Sequence, residues 1–187
     1  MTRTDDLRAR LRALLLDRSV ARGDFVLASG RRSSYYIDAR RTTMAGVGLA
    51  VIGELGLDCL RRRGWQPTAV GGLTLGADPV AYAIAAAGHA QGVALDAFTV
   101  RKAAKTHGTG RRIEGSFSAG ASVVIVEDVI TTGGSALEAI NTLTAEGGKV
   151  LGVLAVVDRE EGGREAIEQA GYAVESMIGV RALGLGD

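Results

Sequence analysis

Residues 123–140 read "VVIVEDVITTGGSALEAI", an aliphatic run that passes through two carboxylates and a glycine turn into a helical pattern. Four aliphatic residues run into the carboxylates Glu127 and Asp128; then come Val129 and Ile130, and then Thr131, Thr132, Gly133, Gly134 and Ser135 opening a helical pattern. An unbroken aliphatic run suits a strand covered on both faces, as in parallel sheets. Glycines and hydroxyl residues at a helix start offer free N–H groups, hydroxyls and close backbone approach to a phosphate monoester. Carboxylates at the C-terminal edge of the strand suit the hydroxyls of a sugar, and that open end is where α/β proteins place ligands. Either "ED" or "TTGG" alone would read as an ordinary solvated turn; the whole string in this order is far more specific.

Outward from this stretch, strand-like and helix-like runs alternate. Strands are expected at 68–75, 93–101, 121–130, 149–158 and, more briefly, 173–180; helices at 44–63, 77–88, 134–146 and 163–171. That order predicts an α/β fold with a central, mainly parallel sheet flanked by helices. Residues 23–43 break the pattern with two short strands around a polar turn, read as part of a small hood over one end of the sheet. One domain spans 1–187, the hood formed mainly by about residues 1–43 with the C-terminal segment as a second candidate contributor. The N-terminal "MTRTDDLRARLRALLLDRSV" interleaves arginines with leucines and reads as an amphipathic surface helix rather than a targeting segment.

Composition sets the limits. With 47% hydrophobic and 23% charged residues the chain is an ordinary globular protein, and 22 Lys+Arg against 21 Asp+Glu provide no bulk attraction to nucleic acid or anionic membrane. Residues 69–88 are apolar enough to suggest a membrane span, but Asp78 and Pro79 oppose it. The single cysteine, Cys59, fits a reducing compartment, and one Cys with two His cannot build a metal cluster. A P-loop is missing, and "GVGLAVIG" (46–53) has neither the spacing nor the preceding strand of a dinucleotide site.

Against this neutral background "RKAAKTHGTGRRIEG" (101–115) concentrates five cations, a histidine and three glycines between apolar segments. By charge alone it would be a solvated basic turn.

Together these segments resemble a known family. "VVIVEDVITTGGSA" is similar to the phosphoribosyl pyrophosphate (PRPP) signature of the type I phosphoribosyltransferases. Three further stretches narrow the resemblance to the orotate phosphoribosyltransferases: "FVLASGRRSSYYIDAR" (25–40), "RKAAKTHGTGRRIEG" (101–115) and "VVDREEGG" (156–163). They occur in the family's order and cover nearly the whole chain.

The resemblance implies transfer of the 5-phosphoribosyl group from PRPP to N1 of orotate, giving orotidine 5′-monophosphate and pyrophosphate in pyrimidine synthesis. It implies that Glu127 and Asp128 hold the ribose hydroxyls and that Thr131, Thr132, Gly133, Gly134 and Ser135, after Val129 and Ile130, cradle the 5′-phosphate. Thr131 would also lie against orotate, Arg159 would pair with it, and Tyr36 and Ile37 would border the base. Gly76 and Asp78, in "GGLTLGADP" (71–79), would pass close to the pyrophosphate. Arg101, Lys102, Lys105 and His107 would supply donors to the leaving group, Lys102, Lys105, His107 and Asp128 being the catalytic set, while Gly108 and Gly110 let the loop close and reopen. Arg111 and Arg112 read as solvated flank. Mg²⁺ is expected on PRPP rather than on a protein site. A cytoplasmic homodimer with shared active sites is implied, Lys102 acting across it, with no nucleic-acid or membrane partner. Many relatives carry lysines where this chain has Ala28 and Gly76, which leaves Arg31 or Arg32 to contribute charge. His89 reads as a surface residue. The alternatives are a phosphoribosyltransferase for another nucleobase, or a PRPP-sensing regulator; the complete loop and the short N-terminal segment speak against the regulator.

Overall fold

The computed structural model describes residues 2–26, 32–103 and 112–186. Helix α1 (Arg3–Arg18) starts at a capping box in which Thr2 accepts from the Asp5 N–H and the Asp5 side chain accepts from the Thr2 N–H. Leu7, Leu11 and Leu15, four residues apart, form its buried stripe, so the leucines interleaved with arginines do mark an amphipathic helix. Strands β1 (Val20–Val26) and β2 (Arg32–Ile37) form a separate antiparallel pair. A four-residue helix, α2 (Arg40–Thr43), leads into α3 (Gly46–Arg62).

The body is a six-stranded sheet built from β3 (Ala69–Leu73), β4 (Asp96–Val100), β5 (Ile113–Gly115), β6 (Ser122–Ile130), β7 (Lys149–Asp158) and β8 (Val174–Gly179), in the order β5-β4-β3-β6-β7-β8. All pairings are parallel except β4 with β5. Helices α4 (Ala77–Ala90), α5 (Gly134–Ala145) and α6 (Gly163–Gln169) connect successive parallel strands, and a 3₁₀ turn (Val180–Leu183) follows β8. The mainly parallel α/β sheet expected from the alternating runs is therefore present. The three-residue β5 and the four-residue α2 were not expected, because neither is long enough to establish a period.

Successive residues of β6 serve two cores. Val124 and Val126 join the cluster under α1, α3 and α4, whereas Val123 and Ile125 join the one under α5 and α6. Each of the four is fully buried, contributing roughly 1.5–3 kcal/mol apiece. This double coverage explains why the strand is aliphatic without alternation. Because Leu7, Leu11 and Leu15 also belong to the first cluster, α1 is packed on the body, and the β1–β2 hairpin is the part that stands apart from the main sheet.

The connections reverse direction between β3 and β6. From β3 the chain winds outward to β4; from β6 it winds the other way to β7 and β8. The loops leaving the C-terminal ends of β3 and β6 therefore diverge and leave a crevice, the position where open α/β sheets bind ligands.

Candidate active site

Two loops meet at that crevice. The loop after β3 comes so close to the end of β6 that a Cβ on Gly76 would lie 2.4 Å from Asp128 Oδ1. Gly76 has ordinary helical dihedrals (φ −65°, ψ −40°), so the close approach rather than the backbone conformation requires glycine. Asp78 accepts hydrogen bonds from Thr74 Oγ1 (2.7 Å) and Thr99 Oγ1 (2.8 Å), one on each carboxylate oxygen. The structure thus commits Asp78 to holding the β3 loop against β4.

Glu127 is 5% exposed, and its Oε1 has no hydrogen-bond partner. Burial, with a smaller contribution from the neighbouring Asp128 charge, pushes its carboxyl up to about 8. Asp128 is also raised, first by burial, although the Val129 N–H donates to its Oδ1 at 2.8 Å and Arg40 lowers it through space. A buried carboxylate oxygen without a partner is expensive. Thr131, Thr132, Gly133, Gly134 and Ser135 curve beside Glu127 around a small hollow and lead into α5 at its N-terminus.

A second binding surface grows from the end of β7. Asp158 is 2% exposed; its oxygens accept from the Glu160 N–H (2.8 Å) and from Arg164 Nε (2.9 Å). Arg164 in turn donates to Val174 O and Ser176 Oγ on β8. This network shapes the turn that carries Arg159, whose N–H donates to Ile130 O at 3.0 Å. Gly163 lets the turn lie on the β6 loop, since a Cβ there would meet Thr131 O at 2.4 Å and Gly133 N at 2.8 Å. The two loops expected from sequence to hold phosphoribose and base are therefore in direct contact.

Arg159 is 6% exposed, with its guanidinium carbon 5.0 Å from the centre of the Tyr35 ring. Its Nη2 lies 2.9 Å from Glu161 Oε1, an ion-pair distance without hydrogen-bond alignment, and neither Nε nor Nη2 has an aligned partner. Arg159 borders a cleft of about 270 Å³, lined also by Arg32, Ser33, Ser34 and Arg181. Sequence reasoning chose Tyr36 and Ile37 as the neighbours of a base. In the structure Ile37 is buried in the core, and Tyr36 is 42% exposed with its ring 5.8 Å from that of Phe25. The ring that meets Arg159 is that of Tyr35, because neighbouring residues of a strand face opposite sides.

Arg101 and Lys102 follow β4 at the protein surface, and Arg101 pairs with Glu114 at 3.7 Å. Arg112, expected as solvated flank, is instead a strut. It donates from Nε and Nη2 to Arg101 O (3.0 and 2.9 Å) and from Nη2 to Lys102 O (3.2 Å), and it pairs with Glu138 of α5. No local pattern marks this role, since Glu138 is 26 residues away. Lys105, His107, Gly108, Gly110 and Arg111, like Ala28 and Arg31, lie outside the described residues. His89 is exposed in the last turn of α4, as expected. Among the described residues no group of three or more His, Cys, Asp or Glu side chains could hold a metal ion, and no helix is long and apolar enough to cross a membrane.

Comparison with known proteins agrees with this geometry. The family model described as "Phosphoribosyl transferase domain" matches residues 48–174. An orotate phosphoribosyltransferase of Mycobacterium avium is 51% identical over 168 residues, covering 90% of this chain and 91% of that protein. The crystal structure of Mycobacterium tuberculosis H37Rv orotate phosphoribosyltransferase with Fe(III) dicitrate superposes with a TM-score of 0.86 at 48% identity, covering 96% of this chain and 99% of that one. The same enzyme in complex with PRPP superposes with a TM-score of 0.82 at 45% identity, with the same coverage.

Proposed function

The chain belongs to the phosphoribosyltransferase family, and within it to the orotate phosphoribosyltransferases, and we propose that its residues divide the work of that reaction as follows. The enzyme transfers the 5-phosphoribosyl group of PRPP to N1 of orotate: the C1′–oxygen bond breaks, the C1′–N1 bond forms, and pyrophosphate departs. The product, orotidine 5′-monophosphate, belongs to pyrimidine synthesis.

The observation that carries this reading is the buried Arg159, which lines the cleft and whose Nε and Nη2 lack aligned partners. These two nitrogens form one edge of the guanidinium, matched to two acceptors of a planar anion. Adenine and hypoxanthine carry no such charge. Orotate lies along this edge, with Thr131 beside it where the two loops touch.

Glu127 and Asp128 accept hydrogen bonds from the ribose 2′- and 3′-hydroxyls, which gives the orphaned Glu127 oxygen its partner. The segment Thr131–Ser135 receives the 5′-phosphate at the N-terminus of α5, and Arg101, Lys102, Lys105 and His107 stabilise negative charge on the departing pyrophosphate. Carboxylate oxygens such as those of Glu127 and Asp128 are of the kind Mg²⁺ accepts. In this reading the cation arrives on PRPP and neutralises part of the diphosphate charge. The whole chain acts as one catalytic domain with the β1–β2 hairpin as hood. A cytoplasmic homodimer with shared sites completes the reading, supported by the exposed apolar side chains of Met44, Val47, Leu75 and Tyr82.

The direct test mixes purified protein with PRPP, Mg²⁺ and orotate and follows the loss of orotate absorbance, with uracil, hypoxanthine and adenine as controls. Orotate is consumed and the controls are not. Clear turnover of another base without orotate consumption would refute the assignment.

A further inference from the structure

We propose that Tyr35 is a positioning residue for the base site: its ring holds the Arg159 guanidinium by the face and so fixes the direction of the Nε–Nη2 edge, whose nitrogens keep no aligned hydrogen-bond partner. The inference rests on the reading of Arg159 as the base contact and concerns how that contact is prepared. A free arginine side chain samples many rotamers, a freedom that must be suppressed before a two-point contact can form. A carboxylate or carbonyl aligned on the guanidinium would use one of the N–H groups that the base needs; Glu161 Oε1, 2.9 Å from Nη2, is paired by charge without that alignment. An aromatic face restrains it without consuming a donor, because the attraction is to the ring's π-cloud.

The surroundings fit this role. The guanidinium carbon is 5.0 Å from the ring centre. Tyr35 is only 8% exposed, so its ring cannot swing freely, and Ser33 Oγ both donates to Tyr35 O (2.7 Å) and accepts from the Tyr35 N–H (3.3 Å). The other end of the assembly is fixed by the Arg159 N–H on Ile130 O and by the ion pair with Glu161. Tyr35 thus ties the hairpin to the turn after β7, which are far apart in sequence, and sets the orientation of the base-binding edge.

The test replaces Tyr35 with phenylalanine and with mono-, di- and trifluorinated phenylalanines, which keep the ring's shape while draining its π-cloud. Alongside these, Tyr35→Leu and Arg159→Lys are measured for KM of orotate, KM of PRPP, kcat and Tm. Stepwise fluorination raises the orotate KM stepwise, to about tenfold in the trifluoro variant, without a parallel rise in PRPP KM or fall in Tm. Tyr35→Leu raises the orotate KM by a similar factor, and Tyr35→Phe restores it. A flat fluorination series with a large effect of Arg159→Lys overturns the role of Tyr35 and leaves the base-site reading intact. An unchanged orotate KM in Arg159→Lys overturns both. Equal changes in both KM values with a falling Tm make Tyr35 a core residue only and likewise overturn the proposal.

Discussion

Replacing Glu127 with glutamine should stabilise the fold increasingly with pH while damaging catalysis. In the folded protein the Glu127 carboxyl is raised from 4.5 to about 8, chiefly by burial. The folded state therefore holds a proton that the unfolded chain has released throughout that interval, and stability falls as pH rises from 4.5 toward 8. At about 1.4 kcal/mol per unit, the ionisable group costs on the order of 1 kcal/mol at pH 5.5 and on the order of 4 kcal/mol at pH 8. Glutamine cannot ionise. It leaves a buried amide imperfectly paired, at a pH-independent cost of about 1–3 kcal/mol. The diagnostic is thus the change with pH rather than the absolute difference. Between pH 5.5 and 8 the stability of Glu127→Gln relative to wild type should grow by about 3 kcal/mol, or about 6–12 °C in Tm for a chain of this size. Urea unfolding and calorimetry across that range measure it. Above pH 8, where Glu127 is ionised, the same variant should lose about 10- to 100-fold in kcat/KM for PRPP, because hydrogen bonds to a charged acceptor are worth about 1.5–3 kcal/mol. In wild type this ratio should climb with pH toward 8 as the proton leaves. Stability curves that run parallel for variant and wild type would show that Glu127 is not held protonated by burial.

Gly163→Ala pushes a methyl group onto Thr131 O and Gly133 N, backbone atoms that cannot swivel away. It should destabilise the protein by about 1–3 kcal/mol in urea unfolding and raise the KM of both substrates. Arg112→Ala frees the carbonyls of Arg101 and Lys102 and the Glu138 carboxylate at the surface. Its Tm should fall by less than about 4 °C, since partly exposed pairs contribute roughly 1 kcal/mol, while limited trypsin digestion should cut faster at Lys102. Lys105→Ala should lower kcat far more than it raises the Kd for PRPP, as steady-state kinetics beside direct binding would show; equal losses would make it a ground-state contact.

Most of the architecture was legible because it rests on local periodicity. The expected strand at 121–130 is observed at Ser122–Ile130, that at 149–158 at Lys149–Asp158, and the helix expected at 134–146 runs Gly134–Ala145. The proposed phosphoribose site could be named for the same reason: Glu127, Asp128 and Thr131–Ser135 are one contiguous strand, turn and helix start, so sequence order already brings them together.

Other features depended on contacts between distant segments. That Tyr35 rather than Tyr36 meets Arg159 is a matter of which side of β2 faces the body, and a strand's period of two leaves both choices open until register and docking are set. Arg112 could not be told from a solvated cation, because its partners are two carbonyls and a carboxylate brought to it by folding. Gly76 is expected from sequence beside the pyrophosphate, but that the position requires glycine emerges only when the β3 loop is seen against Asp128. Hydrophobic period and local backbone chemistry are thus enough to give the order of strands and helices and to bring the residues of the proposed phosphoribose site into one contiguous segment. Only the tertiary structure decided which side chains restrain Arg159, the β3 loop and the neck of the basic loop, because each of those contacts joins residues whose nearness exists only in the packed chain.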